Sequence, residues 1–284
     1  WHHGGMPPEK APARGVVGQI TRGTTNTNRL RRIDRWIARH PVLRRADDPF
    51  VIDLGYGASA VTVLELEERL RRARPGVDVL GLEIDPARVE RARTQLVDVR
   101  AGRTAFSPDA HVSFARGGFE VPTPQGRRPA VLRAFNVLRQ YDEHEVKEAW
   151  ARMTQRLHPD GILVEGTCDE LGRICTWVEI GADAAPRTLT LSLRLSELAS
   201  PSIAAERLPK ALIHRNVPGE PVHDFLRTLD EEWTRAVGTA SFGPVQRWRA
   251  ALDAMHAAGW PVGGRARWRL GEVTVPWSLV APVV

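Results

Sequence analysis

Residues 50–93, FVIDLGYGASAVTVLELEERLRRARPGVDVLGLEIDPARVERAR, limit the fold more than any other part of the chain. A short apolar run, Val51, Ile52 and Leu54 interrupted by Asp53, leads into Gly55-Tyr56-Gly57, and Ser59 is placed to cap the helix that follows. That helix carries Val61, Leu64 and Leu70 on one stripe and stops at Pro75-Gly76. A second apolar run ends at Glu83, and Asp85-Pro86 has the form of an N-cap followed by a first-turn proline. Strand, glycine turn, helix, strand and acid make a βαβ unit whose strand ends face one crevice. Free N–H groups at the helix start favour an anionic group, and glycine lets backbone come close to a ligand. An acid at the tip of the second strand reaches a ribose. The spacing predicts a nucleotide-type cofactor site with Glu83 on the sugar.

Gly55, Gly57 and Ala60 also satisfy the G-x-G-x-x-G/A spacing of a dinucleotide site, so an NAD(P)-binding oxidoreductase is one alternative. Asp53 argues against it, because an acid there would repel a pyrophosphate and suit a cationic ligand group. IDLGYGAS with GLEIDPARVERA resembles the class I S-adenosylmethionine-dependent methyltransferases. The resemblance continues through residues 130–166, AVLRAFNVLRQYDEHEVKEAWARMTQRLHPDGILVEG, as a fourth strand, a helix, an L-x-P-x-G turn and a fifth strand. It implies an α/β fold: a Rossmann-like, doubly wound, mostly parallel seven-stranded sheet with a C-terminal antiparallel hairpin and an inserted strand-pair and helical region. It also implies S-adenosylmethionine as cofactor, S-adenosylhomocysteine as product, and cofactor contacts at Asp53, Gly55, Tyr56, Gly57, Ser59, Glu83, Ile84, Gly118, Phe119 and Asn136. Two departures stand out. Ser59 occupies the place of a usual third glycine, and the acid expected beside the adenine is displaced to Glu120.

Five regions follow along the chain. Residues 1–18 lack an apolar period and are expected to be disordered, with residues 1–5 a tag remnant. Residues 19–46 read as a lid and helix, and 47–168 as the cofactor-binding core. Residues 169–242 read as an insertion on the substrate side, holding an antiparallel pair (174–180 and 188–195) and helices. Residues 243–284 read as the last helix and two closing strands, 265–270 and 273–280, turning at Gly271-Glu272.

The net charge of +6 comes almost entirely from arginine, a bias typical of GC-rich bacterial genes. Arg29, Arg31, Arg32, Arg35, Arg39, Arg44 and Arg45 crowd a helix whose Leu30, Ile33, Trp36 and Ile37 repeat at helical spacing. They read as a solvated face; a phosphate grip, as in an RNA methyltransferase, is the alternative. Cys168 and Cys175 are too few for a disulfide framework and read as reduced core thiols. Asp47-Asp48 and Asp142-Glu143 lack companions that would fix a cation, so no metal is expected. No apolar run approaches the ~20 residues that cross a bilayer, which points to a cytoplasmic protein, with homodimerisation left open.

A methyl group on a sulfonium is already activated, so catalysis there mainly holds a nucleophile in line and excludes water. The expected acceptor is a small molecule or natural product, methylated at oxygen with the help of a base. Tyr141, Asp169 and His214 are the candidate catalytic residues, with Glu170 and His223 nearby in sequence, and Arg139 and Gln140 the candidate substrate contacts. Asn136 is followed by Val137-Leu138, so the Asn-Pro-Pro-Tyr signature of amino methylation is missing. A catalytically silent binding subunit, hinted by Ser59 and Glu120, is a further class.

Overall fold

The strand β1 (Phe50–Leu54) is buried along its whole length, as a central strand covered on both faces must be. It pairs in parallel with β2 (Asp78–Glu83) on one side and β4 (Val131–Phe135) on the other. The computed structural model describes residues 15–21 and 23–283. Before β1 come α1 (Arg31–Ile37) and α2 (Pro41–Arg45); α3 (Val61–Arg71) joins β1 to β2, and α4 (Pro86–Arg100) joins β2 to β3 (Val112–Arg116). After β4 the order is α5 (Val146–Thr154), β5 (Ile162–Cys168), β6 (Ile174–Gly181), β7 (Pro186–Leu193), α6 (Lys210–Ile213), α7 (Pro221–Arg235), α8 (Pro244–Ala257) and β8 (Glu272–Pro276).

All eight strands form one sheet in the order β3-β2-β1-β4-β5-β6-β7-β8. The first five run parallel, and β6, β7 and β8 continue as an antiparallel meander. Strand order reverses between β1 and β4, and in an open α/β sheet a ligand crevice lies at the carboxyl ends of the strands at that reversal. Side chains of α1, α3 and α4 pack one face of the sheet, and those of α5, α7 and α8 the other. The architecture is Rossmann-like.

Three details differ from the sequence expectation. The sheet has eight strands rather than seven. The pair from the expected insertion does not stand apart: β6 lies directly against β5, extending the sheet, because its residues are buried on both faces and its backbone groups need partners. Residues 265–270 are not a strand. They coil into a 3-10 turn between Gly264 (φ +72°) and Gly271 (φ +79°), so β8 alone closes the sheet, on β7. Gly271 is required there, since a Cβ would sit 2.0 Å from the Leu193 carbonyl oxygen.

The expected disorder of residues 1–18 lies outside the described residues up to residue 14; of residues 15–18, Val17 is hydrogen-bonded to Phe119 and Glu120. Among the described residues no helix is long and apolar enough to cross a membrane.

Candidate functional site

At the end of β1 the chain turns through Gly55 (φ +72°) and Gly57 (φ +88°), conformations that side-chain-bearing residues rarely adopt. A Cβ on Gly57 would lie 2.8 Å from Thr25 Oγ1 and 3.1 Å from the Gly23 carbonyl, so the turn is closely approached by backbone. Glu83, at the tip of β2, is 2% exposed and faces this turn. Its Oε2 accepts the Gly57 N–H at 3.0 Å, and its Oε1 accepts the N–H groups of Ile84 at 2.9 Å and Asp85 at 3.3 Å. Arg88 stands 3.6 Å from Oε2. Ser59 lies aside, its Oγ accepting the Val61 N–H at 3.4 Å.

Beside the turn opens a cavity of about 620 Å³. Asp53, Gly55, Tyr56 and Gly57 line it from β1 and the turn after it; Phe135, Asn136, Arg139 and Gln140 from the end of β4; Thr21, Gly23, Thr24, Arg29 and Leu30 from the N-terminal segment; Thr62, Glu170 and Arg207 complete the wall. Asn136 holds a left-handed backbone (φ +60°), tolerated by asparagine and stabilised by ties to β5. Its N–H donates to the Gly166 carbonyl at 2.8 Å, and its Oδ1 accepts the Cys168 N–H at 3.0 Å. The Cys168 thiol lies beneath, 3.4 Å from Asn136 Nδ2; a hydrogen bond from Cys175 and the nearby Arg29 charge lower its pKa.

Asp53 reaches the cavity, but its charge is not free for a cationic ligand. Both of its oxygens accept from Arg133, at 2.9 and 2.5 Å, and Arg133 also pairs with Asp34 of α1. Arg133 and Asp34 are completely buried, and Arg69 joins the cluster at 2.5 Å from Asp34. Burial pushes the Asp34 carboxyl up, opposed by Arg133 and Arg69. An arginine in the middle of the apolar run VLRAF was the sequence signal for this cluster.

The neighbouring turn at residues 117–120 continues the crevice over β2 and β3. Residues 17–19 run along it. The Phe119 N–H donates to the Val17 carbonyl at 2.8 Å, the Val17 N–H donates to Glu120 Oε2 at 2.7 Å, and the Gly118 N–H donates to Glu120 Oε1 at 2.9 Å. Gly18 rests against Ile84 and Tyr141, and a Cβ on Gly118 would come within 2.0 Å of the Val17 carbonyl oxygen.

The three expected catalytic groups do not meet at the cavity. Tyr141 packs on Phe119 with ring centroids 5.1 Å apart, and its hydroxyl accepts the Gln19 N–H, so it seals the N-terminal segment against the sheet. Burial raises its pKa. Asp169 caps the turn into β6, with Oδ1 accepting the Arg173 N–H at 2.6 Å. His214 ends α6 beside Lys210 at 3.4 Å and lines a separate cavity with Trp150 and Trp277. His223 is held by Asn216 on another face. Arg139 and Gln140 do reach the cavity; Arg29 and Arg207, which their sequence context does not distinguish from other arginines, face it as well.

The N-terminal arginines are not simply a solvated face. Arg29 is 8% exposed and donates to the carbonyls of Asp169, Thr24 and Cys168. Arg31 donates to the carbonyl of Leu171, and Arg32 to those of Gly172 and Leu270 and to Ser192 Oγ. These contacts fasten α1 to the sheet's antiparallel half, while Arg35, Arg39, Arg44 and Arg45 stay exposed. Among the described residues no group of three His, Cys, Asp or Glu is placed to hold a metal.

No family model and no curated protein matches the chain. Among solved structures it is similar to the mitomycin 7-O-methyltransferase MmcR, at 23% identity over 48% of this chain and 35% of that one, with a TM-score of 0.35. It is also similar to the [4+2]-cyclase SpnF, at 19% identity over 48% of this chain and 44% of that one, TM-score 0.35. A third is the N-methyltransferase NodS from Bradyrhizobium japonicum WM9, at 18% identity over 49% of this chain and 68% of that one, TM-score 0.32. What these share with the chain is at most the fold. The chain thus spans about a third of the mitomycin enzyme and under half of the cyclase.

Proposed function

We propose that the chain is an S-adenosylmethionine-dependent methyltransferase acting on a small-molecule or natural-product acceptor at oxygen. The turn at 117–120 carries this reading. It grips a donor and an acceptor side by side, the N–H and C=O of Val17, with a carboxylate and a backbone N–H. An adenine edge offers the same pair in its exocyclic amino group and N1. The three features succeed one another along one edge: that turn after β3, the Glu83 carboxylate at the tip of β2, and the glycine turn after β1. Base, sugar and amino-acid portion of the cofactor would lie in that order. For the base to enter, residues 17–19 have to leave the turn.

When bound, the cofactor supplies a methyl group already activated on a sulfonium. The chain's own work is placement and proton handling. Glu83 keeps one acceptor site, on Oε2, beyond those spent on Gly57, Ile84 and Asp85, and it would accept a ribose hydroxyl. The Asp34–Arg133–Asp53 cluster fixes the end of β1 and with it the glycine turn. Glu170 is the cavity carboxylate left without an arginine partner, since Asp53 is held by Arg133. In this reading it takes the acceptor hydroxyl's proton as the new carbon–oxygen bond forms, replacing Tyr141, His214 and Asp169 in that role.

Isothermal titration of the full chain with S-adenosylhomocysteine and, separately, NAD tests the reading. Binding of the homocysteine nucleoside alone supports it; binding of NAD alone replaces it with the oxidoreductase alternative.

A further inference from the structure

Many arginines of the described residues meet a carboxylate, as Arg133, Arg69 and Arg267 do. The three on the cavity wall do not. Arg29 spends its donors on the backbone carbonyls of Asp169, Thr24 and Cys168. Among the described residues the Arg139 side chain makes one hydrogen bond, from Nη1 to the Glu206 carbonyl at 3.1 Å. Arg207 Nε is buried with no partner among the described residues. The three charges feel one another: besides its partial burial, the Arg207 and Arg29 charges both depress the Arg139 pKa. Facing like charges into a shared hollow is unfavourable, and Glu170 offsets only one of them. The arrangement becomes favourable when an anion enters, because a guanidinium fork matches an oxyanion in charge and geometry.

We infer, resting on the methyltransferase reading, that the methyl acceptor is an anionic small molecule whose carboxylate or phosphate is held between Arg139 and Arg207, with its hydroxyl toward Glu170. Arg29 adds positive charge but has its donors committed, so it supports the pair without gripping the ligand. The methyl donor carries a carboxylate of its own, so one oxyanion could come from either molecule; the test separates them.

The probes are 4-hydroxybenzoate, 4-hydroxyphenyl phosphate and uncharged 4-hydroxybenzamide, titrated into the full chain by calorimetry with and without saturating S-adenosylhomocysteine. The proteins are wild type, Arg139→Gln and Arg139→Gln/Arg207→Gln. Arg139→Gln gives up only one backbone contact, and the backbone carbonyl of Arg207, which accepts from Thr167 and Thr176, is untouched by the second change. The expected result is at least tenfold tighter binding of one anionic probe than of the amide, a preference that shrinks in the single variant and vanishes in the double, with the S-adenosylhomocysteine affinity within threefold of wild type throughout. Equal binding of anion and amide overturns the inference, as does a preference that survives the double substitution. Loss of S-adenosylhomocysteine affinity in the double variant, with the anion preference intact, also overturns it and assigns the arginines to the donor's carboxylate. If S-adenosylhomocysteine fails to bind wild type, the methyltransferase reading falls, and an anion preference that the double variant abolishes still shows the arginine pair to be an oxyanion site.

Discussion

Glu165 is a carboxyl enclosed in the core, and its titration tests how completely water is kept from it. It lies on β5, wholly buried, opposite Val178 on β6. Neither of its carboxylate oxygens has a hydrogen-bond partner among the described residues, and the Trp150 indole, which tends to lower its pKa, makes no bond of ordinary geometry to it. Burial pushes its pKa up to about 8. An unfolded chain would release this proton near the ordinary glutamate value of about 4.3. Between those values the folded state holds a proton that the unfolded state has lost, so this group's contribution is most favourable below about pH 4 and declines as pH rises toward 8. At about 1.4 kcal/mol per pH unit, the decline between pH 5 and 7.5 amounts to roughly 3 kcal/mol. Glu165→Gln keeps the shape and cannot ionise. Urea unfolding followed by tryptophan fluorescence should therefore find the variant within about 1 kcal/mol of wild type at pH 5 and more stable by roughly 3 kcal/mol at pH 7.5. Other titrating groups cancel in the difference between the two proteins. A difference that stays constant across this range would mean that water or a charged partner reaches Glu165 in the folded chain, and its burial without a partner would have to be abandoned.

Glu83→Gln removes the charge from the proposed sugar ligand while keeping an acceptor for Gly57; calorimetry should show S-adenosylhomocysteine binding weakened about 30-fold, or about 2 kcal/mol. Glu170→Gln should lower kcat on any accepted substrate by roughly a hundredfold with unchanged S-adenosylhomocysteine affinity, and an unchanged kcat removes it as the base. Deleting residues 1–20 takes away the Val17 peptide that the 117–120 turn now holds; two hydrogen bonds no longer compete, and S-adenosylhomocysteine should bind roughly tenfold or more tighter in the same calorimetric assay. Weaker binding instead would make that segment part of the ligand site. Arg133→Leu leaves Asp53 buried without its partner and Asp34 with Arg69 alone, and should cost about 3 to 5 kcal/mol in urea unfolding, against near-neutral behaviour if the cluster were solvated.

The βαβ unit was legible because every feature of it is local. Gly55 and Gly57 sit at positive φ within one turn, Glu83 follows its strand directly, and Asp85 caps α4 by accepting the Ala87 N–H at 2.8 Å. Periods of two and 3.6 located the strands and helices around it. The same reasoning failed for residues 265–270, where RARWRL lies between two glycines in left-handed conformation and winds into a turn that Arg267 secures by pairing with Glu272. It also did not foresee that the three catalytic candidates would point to different places. Tyr141 and Asp169 follow β4 and β5, which end near the crevice, and His214 follows α6, but which way a loop side chain turns depends on what packs over it: Gln19 over Tyr141, the Arg173 amide over Asp169, Lys210 beside His214.

Arginine shows most plainly where sequence periodicity stops. Its long stem can cover apolar surface while its head finds a distant acceptor, so an arginine in a pattern does not declare which side it faces. Arg32 was placed on a solvated face and instead binds Ser192, 160 residues away; Arg133 sits in a strand that reads as apolar and binds Asp53, 80 residues earlier. Those partners are chosen by the sheet order, which brings β4 beside β1 and α1 beneath both, and no local pattern contains that order. The same dependence explains the unpaired set on the cavity wall. Arg29, Arg139 and Arg207 come from three separate parts of the chain, and only folding reveals that of the two carboxylates on that wall Asp53 is taken by Arg133, which leaves Glu170. A site that collects positive charge from so many directions selects its ligand by charge before shape, and that selection is what the paired anion and amide probes measure.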